Sequence, residues 1–223
     1  MKKIGLLFLI SILLFSSIVC AYGSTAIGVQ EMLINMEYTM VVMERTGNYE
    51  KIEITNNKTG KIEYVESFLN GDQTKYIVTT GEDKYVISKN NEEKIIINKN
   101  GALFQEIRVS ENINEISTRG YGDWTPWTTT NVNMNIAGMG VGVLAATLGF
   151  LLVGPGVASL FYNIASVAVA GGITFLYITT QHRMRINWDI STYQEERNIY
   201  IYLTPEKDKV WKSLFLSFEN PLD

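Results

Sequence analysis

Cysteine and histidine are almost missing. The 223 residues contain one cysteine, Cys20, and one histidine, His182. A metal centre made of several imidazoles or thiolates is therefore excluded, and so is a disulfide framework. Catalytic signatures are missing as well. No Gly-x-Ser-x-Gly elbow is present, so a serine hydrolase of that kind is excluded. The run Gly138-Met139-Gly140-Val141-Gly142 lacks the third-glycine spacing of a dinucleotide loop and follows no strand of a βαβ unit. The chain reads as a non-enzyme without cofactor or metal. Excess positive charge is also lacking, with 19 basic residues against 23 acidic ones. That balance argues against nucleic acid and against long-range attraction to an anionic bilayer.

A different absence organises the chain. From Trp124 to Gln181, 58 consecutive residues include no Asp, Glu, Lys or Arg, although charged residues make up 19% of the whole. Such a stretch suits a membrane or a packed core.

The amino terminus predicts export. Met1-Lys2-Lys3 is a basic start, Ile4 to Val19 is apolar, and Val19-Cys20-Ala21 offers small residues for a signal peptidase. Cleavage after Ala21 is the first choice, cleavage after Gly23 the alternative, and an uncleaved anchor a further one. Loss of the leader would remove Cys20, Lys2 and Lys3, leaving 17 basic against 23 acidic residues, a net charge near −6. The leader points to a protein secreted by a Gram-positive cell, with attachment at the cell surface as the alternative.

An α+β fold is expected, in segments 1–21 (leader), 22–120 (β-rich), 121–181 (apolar) and 182–223 (carboxy-terminal). The first part reads as an antiparallel β-meander, since strand-like runs recur at about ten-residue spacing with polar turns between them. Tyr49 to Thr55 and Lys61 to Phe68 alternate charged and apolar residues around Asn56-Asn57-Lys58-Thr59-Gly60. The alternation places Ile52, Ile54, Ile62 and Tyr64 on one face, with Lys51, Glu53, Lys61 and Glu63 on a solvated one.

The apolar segment reads as a glycine-rich helical hairpin. Helix one runs from Ile136 to Val153, with Asn135 as its cap, and Gly154-Pro155-Gly156 ends it. Helix two runs from Val157 to Ala170. After Gly171-Gly172, the β-branched and aromatic run Ile173–Thr180 suits a strand, with more helix as the alternative. Gly138, Gly142, Ala145 and Gly149 form a stripe on helix one, and Ser159, Asn163, Ser166 and Ala170 form one on helix two. Matching stripes of small residues bring helices together in lipid, leaving Leu144, Leu148, Leu151, Leu152, Phe161, Ile164 and Val167 for acyl chains. Trp124, Trp127, Tyr177 and Trp188, with Arg183 and Arg185, would anchor the ends at a bilayer surface. The helices span about 27 and 21 Å, short of the ~30 Å hydrocarbon layer, so a sheet-covered state and an inserted state are nearly balanced.

Past His182 a β-hairpin is expected, with strands Met184–Tyr193 and Asn198–Leu203. Thr204-Pro205-Glu206 would then start a short helix to about Leu214.

The segments Glu37-Tyr38-Thr39 through Glu44-Arg45-Thr46 and Lys58 through Ser67, together with the uncharged Gly/Ala block, resemble the geobacillin-type large bacteriocins of Gram-positive bacteria. The resemblance rests on the order of the zones and covers most of the chain beyond the leader. It implies a secreted antibacterial protein that is unmodified and needs no cofactor. Its partner would be the target-cell membrane or a membrane receptor, with oligomerisation on insertion. The competing expectation is a non-catalytic surface or interaction protein whose hairpin is core or anchor. An immunity-type protein that protects its producer is a third.

Overall fold

The computed structural model describes residues 32–34, 37–70, 73–89, 94–112, 123–153, 157–187 and 192–221. The leader, Gly154-Pro155-Gly156 and Trp188 lie outside the described residues. The α+β expectation is corrected: the described chain is mostly β, with thirteen strands in two antiparallel sheets and only two short helices.

The first sheet has the order β1-β2-β3-β4-β5-β6-β7-β8, each strand beside the one before it in sequence. Its strands are β1 (Met32–Ile34), β2 (Tyr38–Thr46), β3 (Tyr49–Asn56), β4 (Ile62–Asn70), β5 (Gln73–Thr80), β6 (Asp83–Lys89), β7 (Lys94–Lys99) and β8 (Ala102–Arg108). The turn between β7 and β8 uses Asn100 and Gly101, both at positive φ (51° and 83°), the backbone a tight primed hairpin turn demands. Alternate residues go inward, so Ile52, Ile54, Val65, Val78, Ile87 and Ile97 are all at most 1% exposed.

The facing of β4 departs from the expectation. Register pairs Ile54 with Glu63 and Ile52 with Val65, so Glu63, Val65 and Ser67 share the inner face with Ile52 and Ile54. Glu63 is buried at 7% exposure, while Ile62 and Tyr64 stand outward at 38% and 37%. Pairing register sets the face of every residue at once, because side chains alternate with a period of two.

The second sheet has the order β13-β12-β11-β10-β9. Its strands are β9 (Ser110–Asn112), β10 (Thr128–Asn135), β11 (Phe175–Asn187), β12 (Thr192–Tyr202) and β13 (Val210–Pro221). Three corrections follow. The front of the uncharged block is strand, since Thr128-Thr129-Thr130 and Val132 are β-branched and pair with β11 from Asn135↔Phe175 to Thr128↔His182. Strand β11 runs without a break from Phe175 across His182, and Gln194 to Arg197 belong to β12 instead of a turn. The expected carboxy-terminal helix is a turn followed by β13. Thr204 Oγ1 donates to Asp208 Oδ1 at 3.0 Å and Lys207 sits at φ 55°. Trp211, Leu214, Phe215 and Phe218 then suit a pleated surface better than a lone helical turn.

Between β10 and β11 the chain makes the two helices, α1 (Val141–Leu152) and α2 (Ala158–Ala170). Helix α1 starts five residues later than expected. Asn135 Oδ1 accepts from the Ala137 N–H at 2.9 Å, closing a turn, and Gly138 follows at φ +77°, a conformation that breaks helical continuity. All residues of α1 from Val141 to Gly149 are buried. The helices pack on each other, α1 against β4, β5 and β6 and α2 against β2. Val132, Met134, Leu176, Ile178, Ile199 and Ile201 of the second sheet join the same core. Leu144, Leu148, Leu152, Phe161 and Ile164, expected to meet acyl chains, are buried against protein, and only Val167 of that group is an exposed large apolar residue, at 46%.

Candidate functional site: a hairpin held at its ends by the sheets

Neither helix has a side-chain cap at its start. Gly140 and Val157 occupy the N-cap positions without a side-chain hydrogen bond, and no acid lies in either first turn and no base in either last turn. At the end of α2 the Gly172 and Ile173 N–H groups donate to the Val169 and Ala168 carbonyls at 3.1 and 3.0 Å, with Gly172 at φ +65°, and close that end from within the chain. The other orphan N–H and C=O groups at the helix ends need partners from elsewhere. The sheets supply several of them.

At the start of α1, the Gly142 N–H donates to Glu63 Oε2 at 2.7 Å, across 79 residues of sequence. Burial pushes the Glu63 carboxyl above its ordinary range, and hydrogen bonds from Gly142 and Val141 and the charge of Lys61 partly offset it. Two glycines make room for this contact. A Cβ on Gly140 would collide with the Glu63 carboxylate, and one on Gly142 would lie 2.8 Å from Glu63 Oε2 and 2.9 Å from Val65 Cγ2. Directly across β5 from Glu63 stands Thr80, whose buried hydroxyl has no partner among the described residues.

The other end of α1 is held from the second sheet. Arg197 Nη1 donates to the Leu152 carbonyl at 2.6 Å, and its Nε donates to Glu195 at 2.5 Å. A carboxyl at the amino end and a guanidinium at the carboxyl end match the helix dipole. At the start of α2, the Val157 N–H donates to Tyr76 Oη at 3.2 Å. Two residues on, Ser159 Oγ donates to Glu50 Oε1 at 2.8 Å and accepts from Arg45 Nη2 at 2.8 Å. Glu50 is 2% exposed, and the same Arg45 nitrogen donates to its Oε1 at 2.8 Å. Tyr162, within α2, has a buried hydroxyl without a partner among the described residues, and burial pushes it up to about 12.

The small-residue stripes do not form one seam. Gly142 faces β4, and Ala145 is buried. Gly149 faces both Tyr76 and α2, where a Cβ would lie 3.2 Å from Tyr76 Oη and 3.3 Å from Ala158 Cα. Gly138 sits in the turn before α1. On α2, Ser159 and Ser166 are buried, with Ser166 Oγ donating to the Asn163 carbonyl at 3.2 Å, whereas Asn163 and Ala170 are exposed.

The expected anchors divide in the same way. The Arg183 guanidinium lies 4.6 Å from the Trp124 ring and 4.5 Å from the Trp127 ring, and Arg185 lies 4.7 Å from Trp124. Arg183 also pairs with Glu196 at 2.6 Å. Tyr177 stacks on Phe175 instead, six residues along β11, about 20 Å away.

Sequence reasoning missed Glu63, Glu50, Tyr76 and Arg197 as supports of the hairpin. The absence of any capping side chain at Gly140 and Val157 was the available signal. Among the described residues no group of three or more His, Cys, Asp or Glu is placed to hold a metal ion. A cavity of about 250 Å³ opens at the base of the hairpin, lined by Ile136, Ala137, Gly138, Met139, Val169 and Ile173 among others. It brings no ionisable side chain to its wall. Compared with family models, curated proteins and solved structures, the chain matches none.

Proposed function

We propose that the chain is an exported antibacterial protein of the bacteriocin kind, in which the sheets store an apolar hairpin for delivery to the target-cell membrane. The observation that carries this reading is that sheet residues satisfy end groups at both ends of α1 and at the start of α2. A hairpin with no charge and no side-chain caps at the starts of its helices is stable where protein or lipid covers it, and its contact with the sheets runs through few polar bonds.

Magnitudes restrict how delivery works. Undocking would uncover Val141, Val143, Leu144, Leu148, Leu152, Phe161, Tyr162 and Ile164, all at most 7% exposed. At about 1.5–3 kcal/mol per large side chain, this costs roughly 12–24 kcal/mol in water. Release into water is therefore negligible, and transfer takes place only where acyl chains replace the core directly. No described helix is long and apolar enough to cross a membrane. At 12 and 13 residues, the helices reach about 18 and 20 Å against the ~30 Å hydrocarbon layer. The action proposed is insertion into the facing leaflet, with Trp124, Trp127, Arg183 and Arg185 as candidate anchors at its surface.

The test is dye release from phospholipid vesicles by protein recovered from the medium of an expressing Gram-positive host, run beside killing of related bacteria. Release and killing at micromolar protein are expected, and absence of both refutes the reading. The short helices and their full coverage favour a second reading, a non-catalytic surface or interaction protein in which the hairpin is core. A stable protein that leaves vesicles intact would select it.

A further inference from the structure

We infer that two copies of this chain associate in solution by pairing β13 with β13 antiparallel, centred on Phe215, joining two five-stranded sheets into one. The inference is independent of the hairpin's action.

Strand β13 is the terminal strand of the second sheet. It is 12 residues long, and on one side its backbone pairs with β12 from Thr192↔Pro221 to Tyr202↔Val210. On the other side no described strand pairs with it. Among the described residues the N–H and C=O groups of this outer side have no strand partner and form a template for a further strand, the feature natural sheets blunt with short edges, inward charges or proline. Here the blunting is slight: Lys212 and Glu219 are the charges of the strand and Pro221 is its last residue. Between them lies Ser213-Leu214-Phe215-Leu216-Ser217-Phe218, with Phe215 the most exposed of its large apolar residues at 59%.

The register follows from self-complementarity. A two-fold axis normal to the sheet keeps each face on its own side, so a residue pairs with one of the same parity. Centring on Phe215 sets Phe215 against itself, Leu214 against Leu216, Ser213 against Ser217 and Lys212 against Phe218 of the second copy. Aromatic and aliphatic pairs then meet on both faces, and no like charges stand opposite each other. Moving the centre by one residue either way sets Phe215 against a serine and leaves its ring uncovered. Eleven paired residues would form about ten backbone hydrogen bonds. The half-buried Leu214 and Leu216 extend the inner core, beside Ile199 and Arg197 of β12.

Sedimentation of the purified protein at micromolar concentrations, with site-specific crosslinking in a Cys20→Ser background, tests the inference. A dimer is expected. Phe215→Glu, which sets two carboxylates face to face at an exposed position, should weaken association roughly tenfold or more with unchanged circular dichroism. Under mild oxidation Phe215→Cys should form a disulfide-linked dimer, while Ser217→Cys alone should not, and a mixture of Ser213→Cys and Ser217→Cys chains should form the mixed dimer. A monomer at all concentrations overturns the inference. So does crosslinking at Ser217→Cys as fast as at Phe215→Cys, which would mean another register or random collision.

Discussion

Replacing Glu63 by glutamine tests how the hairpin is held. The carboxyl is 7% exposed. The groups around it are Ile54 of β3, Thr80 of β5 and the Gly140–Gly142 backbone, and the charged residue acting on it is Lys61, just before its strand. Two effects oppose each other when it ionises. The amino end of a helix favours a negative charge by about 0.3–1 kcal/mol, more where partly buried. Desolvation disfavours it, and the raised pKa of Glu63 says that desolvation wins. The sign follows by linkage. With the folded pKa above the unfolded one, the contribution to stability is full below the unfolded value, about 4.3, and is lost as pH rises through the folded value. Glutamine keeps a carbonyl oxygen for the Gly142 N–H, carries no charge and offers an N–H to the unpartnered Thr80 hydroxyl. Glu63→Gln should therefore be more stable than the parent at pH 7 to 8, by on the order of 1–2 kcal/mol, and should show a flatter dependence between pH 4 and 8. In a domain of this size each kcal/mol moves Tm by about 2–4 °C. Thermal unfolding followed by circular dichroism across that range measures it. A variant less stable than the parent at pH 7 would show that the charge itself holds the helix, and the reasoning would fail.

Other perturbations bear on the same contacts. Gly142→Ala gains about 1 kcal/mol of helix propensity but drives a methyl to 2.8 Å from Glu63 Oε2 and 2.9 Å from Val65. Overpacking of about 1–3 kcal/mol should leave it net destabilised in urea unfolding. Arg197→Met keeps the apolar stem but removes the donor to Leu152 and the partner of Glu195, so a loss of about 1–3 kcal/mol is expected by the same method. Arg183→Ala removes a cation held between two indole rings. It should cost about 1–2 kcal/mol and shift tryptophan emission to longer wavelength.

Much of the first sheet was legible because alternation is local. Ile52 and Ile54 share one face, whatever the rest of the chain does. In β4 the same logic misled. Ile62 and Tyr64 look like the inner set, and nothing nearby reveals that Glu63 is wanted inside to meet amides 79 residues further on. The cap chemistry of Thr204-Pro205-Glu206 was real but weak, and the open flank of β12 outweighed it by offering a whole strand of pairing to Val210–Pro221. Strand β10 was hidden for a related reason. Lack of charge signals burial without saying in which form, so Thr128–Asn135 merged with the helices after it. The fold class suffered most, because two helices of 12 and 13 residues dominate the hydropathy while the strands carry most of the described residues.

The central claim is that the hairpin leaves its sheets at a bilayer. A Cβ on Gly142 would lie 2.9 Å from Val65 Cγ2, so paired cysteines at 65 and 142 fall within disulfide reach. Dye release by Val65→Cys/Gly142→Cys in a Cys20→Ser background, compared before and after reduction, tests that claim most directly. The account predicts intact vesicles with the oxidised protein and release once reductant frees α1 from β4. Equal release from both forms would show that the hairpin need not leave the sheet, and would contradict the account.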